Sequence, residues 1–177
     1  MAFSTPILGR PLADADREPP RYAWLAFWRS GRYYLLSSVV LGLAAAGVGA
    51  IYGLLLTLLH VTPTSVVQGM QTRSPLALIA IGPLFETTIF AGVWGLSYFA
   101  PTRYRAALFW LTMVILGVVG HHGRGLWIVP AVFTFAVMAA QWLTWIVPLR
   151  FWHTFFGVFL THATVNSVAV VLFWLLR

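Results

Sequence analysis

Residues Leu35–Leu59 read LLSSVVLGLAAAGVGAIYGLLLTLL, a run without one charged side chain. A helix needs about 20 apolar residues to cross the hydrocarbon of a bilayer, and this run is long enough. Four further apolar stretches follow it: Leu76–Ala100, Ala106–Gly120, Leu126–Val147 and Phe151–Leu176. Between them lie a polar loop from His60 to Ser74, a basic loop from Pro101 to Arg105, and the turn His121-His122-Gly123-Arg124-Gly125. The expected fold is all-α, a polytopic transmembrane helical bundle of about five spans. The third stretch is short and could turn back without crossing. Within the first run, Gly49 and Gly53 form a small-xxx-small pair of the kind that lets a neighbouring helix approach closely.

Composition leads to the same class. Hydrophobic residues make up 60% of the chain and charged residues 8%, against roughly 25% charged in soluble domains. Such a chain cannot cover a water-facing surface. All eleven basic residues are arginine. The acids are Asp14, Asp16, Glu18 and Glu86, so the hydrophobic part holds a single carboxylate. The net charge of +7 therefore belongs to tail and loops, and its expected partners are anionic lipid headgroups. No basic face on a soluble module is visible, which argues against nucleic acid. The absence of cysteine excludes disulfides, thiolate metal sites and cysteine nucleophiles.

Residues 1–34 form the expected N-terminal unit and residues 35–177 the bundle. The first 20 residues are polar and carry Pro6, Pro11, Pro19 and Pro20, a composition that does not fold alone. We expect this tail to be held by a partner protein or by the bundle. Residues 21–34 mix Arg21, Arg29 and Arg32 with Trp24, Trp28 and Tyr33, which suits an interfacial helix in the headgroup zone. The region is no secretory signal, having five Arg and no clean apolar core before a cleavage site. With the N-terminus in the cytoplasm, the inner side holds the tail arginines, Arg103, Arg105 and Arg150, and the outer side holds Arg73, Arg124 and Arg177. The bias favours an N-inside, C-outside protein, expected in a bacterial inner membrane.

An ionisable residue inside a span is costly and is a functional candidate by default. Glu86 lies about 11 residues into its stretch, roughly 16 Å deep at 1.5 Å per residue. The plain alternative is a neutral Glu hydrogen-bonded to a neighbouring helix. His162 and Asn166 are four apart on the last stretch, so they share a helix face near mid-membrane. Both can donate hydrogen bonds to a developing oxyanion. The alternative is interhelical polar glue, with Thr161, Thr164 and Ser167 as more of it. His121 and His122 end the third stretch on the side where the second begins, so either can reach Glu86. At least one of the two is expected to be a loop histidine. His60 and His153, at span ends, read as interfacial.

Gly82-Pro83-Leu84-Phe85-Glu86-Thr87-Thr88-Ile89-Phe90-Ala91-Gly92 resembles the first motif of the CAAX-protease and bacteriocin-processing family of intramembrane proteases, apolar-Pro-x-x-Glu-Glu-x-x-x-Arg-Gly. His121 or His122 resembles the second motif, Phe-x-x-x-His, and His162-x-x-x-Asn166 the third, His-x-x-x-Asn. The resemblance covers about Leu76 to Val171. It implies that Glu86 and His121 or His122 activate water, with His162 and Asn166 forming the oxyanion site. The chain departs from the pattern at Thr87 (Glu in the family), at Ala91 (Arg) and at Gly117 or Val118 (Phe). Loss of Glu and Arg together is coherent, since losing one would strand a buried charge.

Three functions follow as expectations. The first is a non-catalytic subunit or assembly factor of a larger membrane complex on a protease-like bundle, favoured by the two missing motif residues and the tail. The second is a divergent intramembrane peptidase using Glu86, His121 or His122, His162 and Asn166. A divalent metal is compatible with His and Glu ligands, but nothing in the sequence requires one. The third, ranked lowest, is a haem- or pigment-binding subunit. A dihaem bundle needs paired histidines 13 or 14 apart, and the only same-span pair, His153 and His162, is nine apart.

Overall fold

The computed structural model describes residues 33–61, 64–122, 125–146 and 151–175. Among them the chain forms six α-helices and no strand. They are α1 (Tyr34–Leu58), α2 (Thr64–Thr72), α3 (Gly82–Leu96), α4 (Thr102–Gly120), α5 (Ile128–Trp145) and α6 (Phe151–Leu175). A π-helical turn, Ala77–Ile81, runs into α3, and 3-10 turns at Ser97–Phe99 and Gly125–Trp127 end α3 and lead into α5. With these turns included, five helices are long and apolar enough to cross a membrane. The chain is an all-α integral membrane bundle. The tail and nearly all of the expected interfacial segment, residues 1–32, lie outside the described residues.

Two expectations change. The polar loop from His60 to Ser74 contains α2, a nine-residue helix too short to span. The third crossing begins at Thr102, not Ala106, because Pro101 at the N-cap launches the helix early. Its first turn carries Arg103 and Arg105, whose guanidinium groups lie 4.6 Å from the Tyr104 ring and 4.0 Å from the Tyr98 ring. At 19 residues this helix is long enough to cross.

The last turn of α1 closes without glycine. His60 takes the left-handed position at φ 58°. Its N–H donates to Thr57 O and that of Val61 to Leu56 O, the two bonds of a Schellman cap.

α1 and α6 run parallel. Tyr34 meets His153 edge-on at 5.0 Å, Ser38 lies against Gly157, and Gly42 against Thr161 and Thr164. Both helices ascend together through these contacts. A Cβ at Gly42 would fall 2.7 Å from Thr161 O and from Thr164 Cβ, so the two backbones meet there because Gly42 has no side chain. The tightest approach to α6 thus lies about two turns along the same face from the expected Gly49–Gly53 pair, which looks instead at Pro130 and Trp127. Thr161 Oγ1 donates to Ser38 O across the same seam.

The core is aromatic and sits in the half of the bundle that holds the start of α6. Phe90 of α3, Phe109 and Met113 of α4, Met138 and Trp142 of α5 and Val158 of α6 are all fully buried. Phe85, Leu96, Ile115 and Trp152 are instead exposed on the outside of the bundle, as lipid contact requires.

Candidate functional site

The π turn ahead of α3 has a cause in the sequence. Pro83 brings no N–H, and its ring would strike the carbonyl four residues back in a regular helix. The helix widens there, and the N–H of Gly82 donates to Ala77 O. In that wider register the next donor, to Leu78 O, would be the N–H of residue 83, and proline has none to give. Asn166 of α6 supplies one: its Nδ2 donates to Leu78 O at 2.8 Å. Unsatisfied carbonyls are not tolerated in hydrocarbon, so this bond fixes α6 against the start of α3.

One turn beyond Pro83, Glu86 faces α6. Its Oε2 lies 3.6 Å from Nε2 of His162. The Glu86 side chain is 30% exposed and that of His162 only 7%. His162 Nδ1 is buried and has no hydrogen-bond partner among the described residues. Such an atom calls for a water or a ligand to meet it. The helix periodicity that put His162 and Asn166 on one face is borne out: both line a single cavity.

The cavity has a volume of about 870 Å³ and a mostly apolar wall. It lies among α1, α5 and α6 in the half away from the aromatic core, with α2 against it. His121 lines it as well, from the C-terminal end of α4. Its Nδ1 donates to Gly117 O at 3.0 Å, capping a last-turn carbonyl. This fixes the neutral ring's lone pair on Nε2. His122 does the same for Val119 O at 2.6 Å, but it is exposed and away from the cavity. Of the two histidines, His121 is the one brought to the site.

Phe135 of α5 stands between the two site histidines, 5.6 Å from the His121 ring and 6.2 Å from that of His162, edge-on to both. It fits because residue 117 is glycine: a Cβ there would lie 3.0 Å from the Phe135 ring. No sequence signal marked Phe135, since a Phe in a span is ordinary. Thr134 also lines the cavity, and its hydroxyl is spent on Pro130 O at 2.9 Å.

The departures from the family pattern leave no stranded charge. Thr87 is 1% exposed and returns its hydroxyl proton to Pro83 O at 2.7 Å. Ala91 packs against the aromatic core. Of the other polar residues on α6, Thr164 and Ser167 bond within their own helix, and only Thr161 reaches another. Among the described residues, no group of three His, Cys, Asp or Glu side chains could hold a metal ion.

Scans of family models, of curated proteins and of solved structures found no match to this chain.

Proposed function

We propose that the chain is an intramembrane hydrolase of the glutamate-peptidase type, with Glu86, His121, His162 and Asn166 as its working groups. One observation carries the reading. Glu86 and His162, 76 residues apart in sequence, stand 3.6 Å apart beside a cavity that His121 and Asn166 also reach. In the proposed reaction Glu86 takes a proton from water, and the water oxygen adds to the substrate carbonyl carbon. The oxyanion so formed is met by His162 and by the second N–H of Asn166, the first being held by Leu78. The C–N bond then breaks, and the proton passes from Glu86 to the leaving nitrogen. The motif resemblance supports this assignment. So does Phe135, which supplies an aromatic ring beside Gly117, where the family pattern has Phe. The arginine bias supports a tail on the cytoplasmic side of the membrane.

A second reading is favoured by Thr87 and Ala91. The packing around them is complete without the family's Glu–Arg pair, as in a bundle kept for scaffolding and joined to other membrane subunits. A comparison in cells separates the two, using Glu86→Gln and a deletion of residues 1–20. Gln keeps the shape of Glu but accepts no proton. Loss of phenotype with Glu86→Gln and not with the deletion is the hydrolase result. Loss only with the deletion would replace it by the subunit reading.

A further inference from the structure

The cavity has two chemically distinct ends. It follows α6 from His162 to Phe173, about 16 Å at 1.5 Å per residue. Along α1 its wall is Ala45, Ala46, Gly49, Ala50 and Gly53. These small side chains leave a void in place of a helix contact. A Cβ at Gly49 would still lie 3.5 Å from its nearest neighbour, while one at Gly42, lower on the same helix, would collide. On the α6 side the wall is Val165, Val168, Ala169 and Leu172. At the inner end the chemistry turns polar. His162 presents a buried, unpartnered Nδ1, and Asn166 has committed one of its two N–H groups to Leu78. At the outer end, Val67, Met70 and Gln71 come from one face of α2, at i, i+3 and i+4.

We propose that this cavity binds a single fatty-acyl chain, with the carbonyl at His162 and Asn166 and the tail along the small-residue wall of α1. The volume of about 870 Å³ lies in the range of small-molecule pockets, roughly 300–1,000 Å³. Between its ends the cavity wall is apolar and offers water few hydrogen-bond partners. A hydrocarbon chain fills this stretch without bringing in a polar group that needs a partner. The carbonyl oxygen of such a ligand accepts from the second N–H of Asn166 at the His162 end. The inference rests on the hydrolase reading only for what happens next, namely that the bound carbonyl lies where Glu86 can act.

The test uses the full chain in nanodiscs with palmitic acid carrying a diazirine on its tail, photolysed and mapped by mass spectrometry. The expected label falls on the cavity-lining positions Ala46, Gly49, Gly53, Val165, Ala169 and Leu172 and is displaced by unlabelled palmitate. Competition by palmitate alone identifies a free acid as the ligand, and competition by palmitoyl-lysophospholipid identifies a lipid-borne chain. Either result supports the binding. Gly49→Leu and Ala169→Leu each grow a side chain into the cavity and should reduce labelling about tenfold, a modest change in binding free energy. The map on the unmodified chain stands even if a variant fails to fold. Labelling should persist in Glu86→Gln. Persistent labelling in a chain that shows no turnover would remove the hydrolase reading and keep this one. Label confined to outward-facing positions such as Leu84, Phe85 and Ile115 would overturn the inference, as would label unaffected by both cavity-filling variants.

Discussion

Asn166 has two tasks, and Pro83 explains why. Proline removes the donor that Leu78 O would have used, and the amide of Asn166 replaces it at 2.8 Å. Interhelical hydrogen bonds in membranes average about 0.6 kcal/mol and reach about 1.7. Asn166→Ala should therefore cost about 0.6–1.7 kcal/mol of stability in an unfolding titration. In a Pro83→Ala background the helix can supply its own N–H, and the same substitution should cost measurably less. Equal costs in the two backgrounds would detach Asn166 from the proline. At this scale the sequence was only partly legible. Spacing put His162 and Asn166 on one face and marked Glu86 as the single acid within the hydrophobic stretches. It could not choose between His121 and His122, because the choice depends on which ring folds over Gly117 O and enters the cavity. Nor could it find the Asn166 partner, 88 residues away, without the orphaned carbonyl that Pro83 creates.

Helices one and six carry the contrast at the next scale. Small residues in α1 serve two purposes along one helix: close contact at Gly42, against α6, and at Gly53, against Trp127, and a cavity wall at Ala45, Ala46, Gly49 and Ala50. Composition alone could not tell these apart, since both call for glycine and alanine. Gly42→Ala forces a Cβ to 2.7 Å from the Thr161 backbone oxygen and should destabilise the bundle by about 1–3 kcal/mol, the usual range for overpacking. Gly47→Ala meets nothing within 4 Å and should stay within about 0.5 kcal/mol of the parent. Thermal unfolding of the two variants side by side checks this, and similar losses for both would remove the close α1–α6 seam. The five long apolar helices were readable because each exceeds what a soluble core helix needs. The short α2 was not, being nine residues of mixed polarity with no span-length signal.

For the whole molecule, parallel α1 and α6 put the start of the first helix and the end of the last on opposite faces of the membrane. A reporter fused before residue 1 and one fused after residue 177 should be accessible from opposite sides in oriented vesicles, the N-terminal one from the cytoplasmic side. Accessibility of both from one side would contradict the five-span arrangement. In such a bundle the aromatic half forms the rigid floor. The open half brings His121, His162 and Asn166 to one cavity from α4 and α6, and α3 sets Glu86 3.6 Å from His162 beside it. Removing one oxyanion donor usually costs about 2.7–4 kcal/mol of transition-state stabilisation, so His162→Ala should keep some turnover. Removing the base should not. The direct measurement is turnover of membrane extract by the purified chain in water enriched in oxygen-18, with products read by mass spectrometry. The account predicts oxygen-18 in a new carboxylate with the parent chain and none with Glu86→Gln. Equal incorporation by the two, or none by either, would contradict it.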